Sequence, residues 1–108
     1  MNEQELQELN KKLAEWAGFN LTCYGHGLAW FINNEALYCE IKDSETPEEC
    51  LPNFTYSLDA CFKWLVPKAE EKSKIVLYDW LVLRNTIKED ALALCLAIEK
   101  LIDGEKNA

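Results

Sequence analysis

The stretch LPNFTYSLDACFKWLVPKAEE, residues 51–71, constrains the fold more than any other part of this 108-residue chain. Its first residues include types that interrupt a chain or cap a helix: Pro52, Asn53, Thr55 and Ser57. Apolar residues then recur at the spacing of one helical face: Leu58, Cys61, Phe62, Leu65 and Ala69. The pattern predicts an aromatic-rich helix from about Thr55 until Pro67, whose ring lacks an amide donor and clashes with the preceding turn.

The N-terminal residues predict another amphipathic helix, followed by a hairpin sheet. Asn2 with Glu5 is a capping box, and an apolar stripe then runs to Gly18: Leu6, Leu9, Leu13, Trp16 and Ala17. Residues 21–24, 28–32 and 35–41 are β-prone, and the breaks between them, Gly25-His26-Gly27 and Asn33-Asn34, tolerate positive φ. Residues 29–32 are all apolar, so we expect the second strand to be covered on both faces.

The remaining segments complete the predicted order. Residues 42–50 are polar and acidic and predict a mobile connection, and residues 68–73 a polar bridge or a frayed extension of the aromatic helix. Residues 74–84 are apolar apart from Asp79 and the two ends, and predict a long central strand. Thr86 with Glu89 predicts a second capping box. Residues 91–98 are apolar nearly all round, which indicates a helix that is deeply buried or shared with a partner.

Together these elements predict one α+β domain over residues 1–108, in the order α-β-β-β-α-β-α. The expected architecture is a three-layer sandwich, in which helices flank a small, mainly antiparallel sheet.

Several of these segments resemble the phage ABA-sandwich domain, a small family carried by bacteriophages and prophages. The resemblance rests on Ala14-Glu15-Trp16-Ala17-Gly18, on Trp30, on residues 52–60 and on residues 91–98. It implies a phage protein with a sheet between helical layers, and it implies no catalytic activity.

Charge and composition narrow the function classes. Eleven basic and nineteen acidic residues give a net charge of −8, which disfavours binding to nucleic acid. No apolar run approaches the roughly 20 residues of a membrane span, and no secretory segment is recognised, so we expect a protein of the cytoplasm, the host cell's if it is phage-encoded. The five cysteines form no C-x-x-C pair and most lie in apolar runs, so we expect reduced, structural thiols and no metal or cofactor.

Two candidate chemistries have simpler explanations. His26, between two glycines and three residues after Cys23, could act as a base or as a hydrogen-bond donor to a ligand, but a histidine at a hairpin tip is more often only solvated. Glu45, Glu48 and Glu49 could bind a hard cation, but they match no known calcium-loop spacing and are most simply a solvated acidic loop.

The best predicted small-ligand site lies at the start of the aromatic helix. Four polar residues gather where backbone amides and the helix dipole attract an anion such as phosphate: Asn53, Thr55, Tyr56 and Ser57. Trp30 could stack on a base and Arg84, the single arginine, could hold a phosphate. The same polar residues are those that any helix start needs for capping.

The sequence therefore favours a non-enzymatic protein that binds a small, phosphate-bearing, nucleotide-derived ligand and sequesters a host immune signal. The alternative is a protein-interaction module that is oligomeric or that docks on a host or phage protein through its last helix and acidic surface. We also expect a homodimer or higher oligomer, because residues 91–98 offer more apolar surface than one sheet face of so small a domain can cover.

Overall fold

The chain folds into an α+β domain in which helices pack on a three-stranded antiparallel sheet of order β1-β2-β3. The computed structural model describes residues 2–42, 46–74, 76–87 and 89–106. The strands are β1 (Phe19–Tyr24), β2 (Gly27–Ile32) and β3 (Ala36–Glu40). The helices are α1 (Glu3–Ala17), α2 (Leu58–Ala60), α3 (Val66–Lys72), α4 (Val76–Thr86) and α5 (Asp90–Lys106). A 3-10 helix (Pro47–Cys50) follows the sheet, and a π-helical segment (Cys61–Leu65) joins α2 to α3.

Helix α1 begins and ends where the sequence predicts. The Asn2 side chain accepts a hydrogen bond from the Glu5 amide at 2.8 Å, and the Asn2 amide donates to the Glu5 carboxylate. Gly18 has a left-handed φ of 109° and donates its amide to the carbonyls of the last turn. A residue with a side chain is strained in that conformation, so Gly18 stops the helix and turns the chain into β1.

The predicted hairpins are confirmed. Leu21 pairs with Trp30 between β1 and β2, and Trp30 pairs with Cys39 between β2 and β3. The second turn contains Asn33 and Asn34, whose φ values of 55° and 62° lie in the left-handed region that asparagine tolerates.

The middle of β2 is enclosed from both sides. Ala29 and Trp30 are neighbours in a strand, so their side chains point to opposite faces, and both are buried. A T-shaped aromatic cluster covers the helix-facing side: the ring of Phe19 lies 5.0 Å from that of Tyr38 and 5.3 Å from that of Trp64, centroid to centroid. These contacts hold the sheet against the π-helical segment.

The aromatic helix starts later and runs further than predicted. Ser57 caps it by accepting a hydrogen bond from the Ala60 amide, and the helix continues through Pro67 to Lys72. The Val66 amide donates to the Cys61 carbonyl, five residues back. A π turn holds one extra residue, which widens the helix before Pro67 and accommodates a ring without an amide donor.

The predicted fourth strand is wrong, because residues 76–86 form helix α4. Leu77, Trp80 and Leu83 pack against the core, whereas Tyr78 and Val82 are exposed. A continuous apolar run does not distinguish a buried strand from a helix, and here the choice is made by packing against α5. The sheet therefore has three strands in the part of the chain that the structure describes.

Helix α5 forms the centre of the core, as its apolar sequence predicts. Its buried residues are Ala91, Ala93, Leu94, Cys95, Ala97, Ile98 and Ile102. Helices α1 and α4 and the π-helical segment cover it, so the apolar surface on which we predicted a dimer is occupied within the chain. The predicted capping box is also wrong: Thr86 is the last residue of α4, and the Ala93 amide donates to the Glu89 carbonyl.

Ion pairs join α1 to α5. The Lys12 ammonium lies 2.7 Å from an Asp103 carboxylate oxygen and 3.2 Å from one of Glu99. The hydrogen bond to Asp103 raises the pKa of Lys12 above its ordinary 10.5. Partial desolvation lowers this pKa, and the hydrogen bond to Glu99 raises it further. None of the helices within the described ranges has both the length and the apolar character needed to cross a lipid bilayer.

Candidate functional site

A surface groove of about 680 Å³, which we call the acidic groove, lies between α1 and the segment after the sheet. One wall is the N-terminal half of α1, with Glu3, Leu6, Gln7 and Asn10. The opposite wall belongs to the segment after the sheet, with Thr46, Glu48, Glu49 and Leu51. The turn before α2 closes one end with Asn53, Thr55 and Tyr56.

Asn10 fixes the turn to α1. Its amide nitrogen donates to the Pro52 carbonyl at 2.8 Å, and its amide oxygen accepts from the Phe54 amide at 2.7 Å. A single side chain thus satisfies a donor and an acceptor of a segment more than forty residues away, while Phe54 is buried beside it. The position of the groove wall therefore depends on Asn10.

The turn is held by its own hydrogen bonds. The Asn53 carbonyl accepts from the amides of Tyr56 and Ser57, and the Thr55 hydroxyl donates to the Asn53 side chain at 3.1 Å. Ser57 is occupied in capping α2. These polar groups support the capping explanation, since most of their hydrogen bonds shape the turn itself.

The 3-10 helix is fastened to the sheet by Trp30, whose indole nitrogen donates to the Pro47 carbonyl at 2.6 Å. At its start, the Glu49 carboxylate accepts a hydrogen bond from the Thr46 amide at 3.2 Å. Glu48 lies 3.8 Å from the ammonium of Lys11, and both side chains remain well exposed. The acidic wall is therefore attached to the sheet through Trp30.

The groove carries negative charge. Among the described residues that line it, three are glutamates and none is a lysine or an arginine; Lys11, which is not part of the lining, pairs with Glu48. Leu6 and Leu51 supply apolar surface, and Tyr56 at the end of the groove is 68% exposed. The groove therefore offers carboxylates, apolar surface and an accessible aromatic ring. These features suit a lysine or arginine side chain, whose charged head is attracted to carboxylates and aromatic rings and whose aliphatic part covers apolar surface.

A smaller hollow of about 310 Å³, the α5 hollow, lies on the other side of the turn. It is lined by Thr55, Tyr56, Leu58, Glu89, Asp90 and Ala91, at the first turn of α5. The Arg84 guanidinium lies 3.5 Å from the Asp90 carboxylate and 5.3 Å from the centre of the Trp80 ring. Arg84 therefore reaches the edge of this hollow through its ion pair with Asp90.

The structure brings some of the predicted site residues together and separates others. Asn53, Thr55 and Tyr56 meet in the acidic groove, and Arg84 lies beside the α5 hollow. Trp30 is 1% exposed and is buried in the core, so its ring is not accessible for stacking on a ligand.

His26 lies in the exposed turn between β1 and β2. Within the described residues it forms no hydrogen bond or ion pair that would orient it as a base. Cys23, three residues before it, is exposed on the same hairpin.

Sequence reasoning missed the α1 side of the groove. Glu3, Gln7 and Asn10 were part of an ordinary polar helix face, and no spacing in the sequence connects them to residues 46–56. The sequence shows that Glu48 and Glu49 are part of an acidic segment, but their position on a groove wall depends on the contact between Trp30 and Pro47. Glu45, the third member of that predicted cluster, lies outside the described residues.

The cysteines are spread through the fold. Cys61 and Cys95 are buried with their sulfur atoms 3.7 Å apart, and the Cys61 thiol donates to the Phe54 carbonyl. The hydrogen bond with Cys61, together with burial, raises the pKa of the Cys95 thiol well above its ordinary range. Across the described ranges, no group of three or more His, Cys, Asp or Glu side chains is placed to hold a metal ion.

Comparison of the chain with protein-family models, with curated proteins and with solved structures finds no match. The resemblance to phage ABA-sandwich proteins stays a prediction from the sequence.

Proposed function

We propose that this protein is a non-enzymatic interaction module whose acidic groove receives a basic segment of a partner protein. The observation that carries the proposal is the set of charges in the groove: Glu3, Glu48 and Glu49 line it, and none of the other lining residues that the structure describes is basic. A phosphate-bearing ligand would meet three carboxylates there, whereas a lysine or arginine side chain would be attracted.

The shape of the groove supports a peptide segment as the occupant. Leu6 and Leu51 give an apolar floor, and the exposed ring of Tyr56 offers a face for a cation. The long stem of a lysine or arginine covers apolar surface while its head group reaches a carboxylate. The net charge of −8 adds long-range attraction to a basic partner, which speeds encounter and weakens with salt.

The direct test is fluorescence anisotropy with a short labelled peptide of alternating lysine and leucine, titrated with the protein at low salt. A double variant, Glu48→Gln with Glu49→Gln, removes two groove charges. Glutamine can still accept the hydrogen bond from the Thr46 amide, so the wall should stay in place. Two exposed ion pairs contribute roughly 0.4–2 kcal/mol, so we expect affinity to fall by about twofold to thirtyfold.

The matched control is Glu70→Gln with Glu71→Gln on α3, where both side chains are exposed and do not line the groove. This variant changes the net charge of the protein by the same amount. We expect it to bind the peptide nearly as well as the unmodified protein. Equal weakening by the two double variants would show general charge attraction and would contradict a docking groove.

The resemblance to phage ABA-sandwich proteins suggests where such a partner would be found. In a phage protein, the basic partner would be a host or phage protein in the host cytoplasm. Many such proteins bind nucleic acid, and an acidic surface can occupy their binding sites.

A second candidate is the small phosphate-bearing ligand expected from the sequence, bound at the α5 hollow. The observation that favours it is that Thr55 and Tyr56 line the hollow together with the N-terminus of α5, whose end attracts anions. Arg84 lies beside the hollow. Glu89 and Asp90 line the same hollow and oppose an anion, which is why we rank it second.

Calorimetric titration with inorganic phosphate, cyclic nucleotides and ADP-ribose tests the second candidate. If one of them binds, Arg84→Ala should weaken it by about 1.5–3 kcal/mol, the usual contribution of a charge-assisted hydrogen bond. Absence of binding by every compound would remove this candidate and leave the interaction module.

A further inference from the structure

The two edges of the sheet differ in how they are protected against pairing with another strand. β3 has an irregular register opposite Trp30 and Phe31 and ends at the exposed Glu40. Bulges and charges are the usual means by which proteins prevent strand addition at an edge. β1, with the sequence FNLTCY, has no charge, no proline and no irregularity in its pairing with β2.

The hydrogen-bonding pattern shows which backbone groups of β1 face outward. The Leu28 carbonyl accepts from the Ile41 amide, so Leu28 directs its backbone groups toward β3, and its neighbours in β2 direct theirs toward β1. Ala29 is the partner of Thr22, so Thr22 is bonded to β2. Leu21 and Cys23, on either side of Thr22, therefore direct their amides and carbonyls away from the sheet.

Among the described strands, only β2 pairs with β1, so the other side of β1 is an open edge of the sheet. Residues 21–24 are all exposed, and in the part of the chain that the structure describes none of them hydrogen-bonds to anything beyond the sheet. Leu21 is 40% exposed, and Leu28, the β2 partner of Cys23 on the same face of the sheet, is 39% exposed. The edge thus combines outward-facing backbone groups with apolar side chains that are only partly covered.

We propose that β1 pairs antiparallel with β1 of a second copy of this chain, which joins the two sheets into one of six strands. A two-fold axis at Thr22 places Leu21 of one copy opposite Cys23 of the other, so that outward-facing groups meet outward-facing groups. Thr22 then faces its own counterpart, a favourable cross-strand pair. The strand is uncharged, so this arrangement puts no like charges opposite each other along the ladder.

A second copy is the occupant that the register favours, because the outward-facing residues Leu21 and Cys23 lie symmetrically about Thr22 and are both apolar, so one strand supplies both sides of the ladder. The net charge of −8 on each copy still opposes association at a distance. Dimerisation should therefore strengthen as salt screens the repulsion. A basic partner in the acidic groove would show the opposite salt dependence, so the two proposals can fail separately.

The experiment measures amide hydrogen exchange by NMR on the unmodified protein across a range of concentrations at two salt levels, with sedimentation on the same samples. We expect the amides of Leu21 and Cys23 to slow by about tenfold or more as dimer forms. The amide of Thr22, bonded to β2 in either state, should be protected throughout. Sedimentation should show twice the chain mass increasing with salt.

Two matched variants locate the contact. Leu21→Lys puts a charge on the β1 edge, and Leu37→Lys puts the same charge on β3, where Leu37 is 47% exposed. We expect Leu21→Lys to be monomeric and Leu37→Lys to dimerise like the unmodified protein. A monomer at every concentration, constant fast exchange at Leu21 and Cys23, or loss of the dimer only in Leu37→Lys would each overturn the proposal.

Discussion

Replacement of Asn10 by alanine tests whether one side chain holds the wall of the acidic groove. Asn10 forms two hydrogen bonds to the turn, at 2.8 Å to the Pro52 carbonyl and at 2.7 Å to the amide of the buried Phe54. Alanine removes both and leaves the donor and the acceptor without partners in a partly buried place.

The expected cost follows from these contacts. Each lost hydrogen bond costs about 1 kcal/mol, and an amide or carbonyl that water reaches poorly costs up to about 3 kcal/mol. Alanine is the better helix former, which returns roughly 0.5 kcal/mol in α1. We expect Asn10→Ala to lower the free energy of unfolding by about 1.5–3 kcal/mol.

The assay is urea unfolding followed by tryptophan fluorescence. With a slope of about 1–1.5 kcal/mol per molar urea, the midpoint should fall by roughly 1–3 M. Gln7→Ala is the control, because Gln7 lies one turn earlier on α1, lines the same groove and is exposed. The free energy of unfolding of Gln7→Ala should differ from that of the unmodified protein by no more than about 0.5 kcal/mol.

Two results would refute this reasoning. If Asn10→Ala were as stable as Gln7→Ala, the two hydrogen bonds would not hold the turn. If Asn10→Ala lost stability but bound the basic peptide with unchanged affinity, the geometry of the wall would not matter for the proposed docking.

Three further predictions concern other parts of the fold. Gly18→Ala should lower the free energy of unfolding by about 1–2 kcal/mol in the same urea assay, because the added methyl group meets the Asn33 side chain at a φ of 109°, and an unchanged midpoint would contradict this. Lys12→Met should be less stable than the unmodified protein at neutral pH, because it lacks the ion pairs to Asp103 and Glu99. Since the pKa of Lys12 is raised in the folded state, the difference in unfolding free energy between the two proteins should shrink as pH rises beyond 10.5. A difference that grows above that pH would be inconsistent with the ion pairs. Iodoacetamide should modify the exposed Cys23 in the folded protein and reach the buried Cys95 only on unfolding, as peptide mass spectrometry would show; early modification of Cys95 would contradict its burial.

Local signals predicted the elements whose ends are set by a few neighbouring residues. The capping pair Asn2 and Glu5 and the stop at Gly18 defined α1, and the positive-φ residues Asn33 and Asn34 defined a turn of the sheet. Such features depend on backbone conformation within one turn, so the sequence contains the necessary information.

Helix α4 was misread for a physical reason. Its apolar residues do not follow a single helical face, since Leu77 and Trp80 contact the core while Tyr78 and Val82 face solvent. Periodicity therefore gave no preference between helix and strand. The contact with α5 stabilises the helix, and that contact is absent from any local window.

What the sequence by itself determined is the α+β class, the boundaries of α1, the hairpin turns, the apolar core helix α5 and the acidic charge. Only the tertiary structure decided that α4 is a helix, that Trp30 is buried in the core, and that Asn10 and Glu48 line the same groove. The physical reason is distance along the chain. Caps and turns act within a few residues, whereas the groove and the burial of Trp30 arise from contacts between elements far apart in sequence.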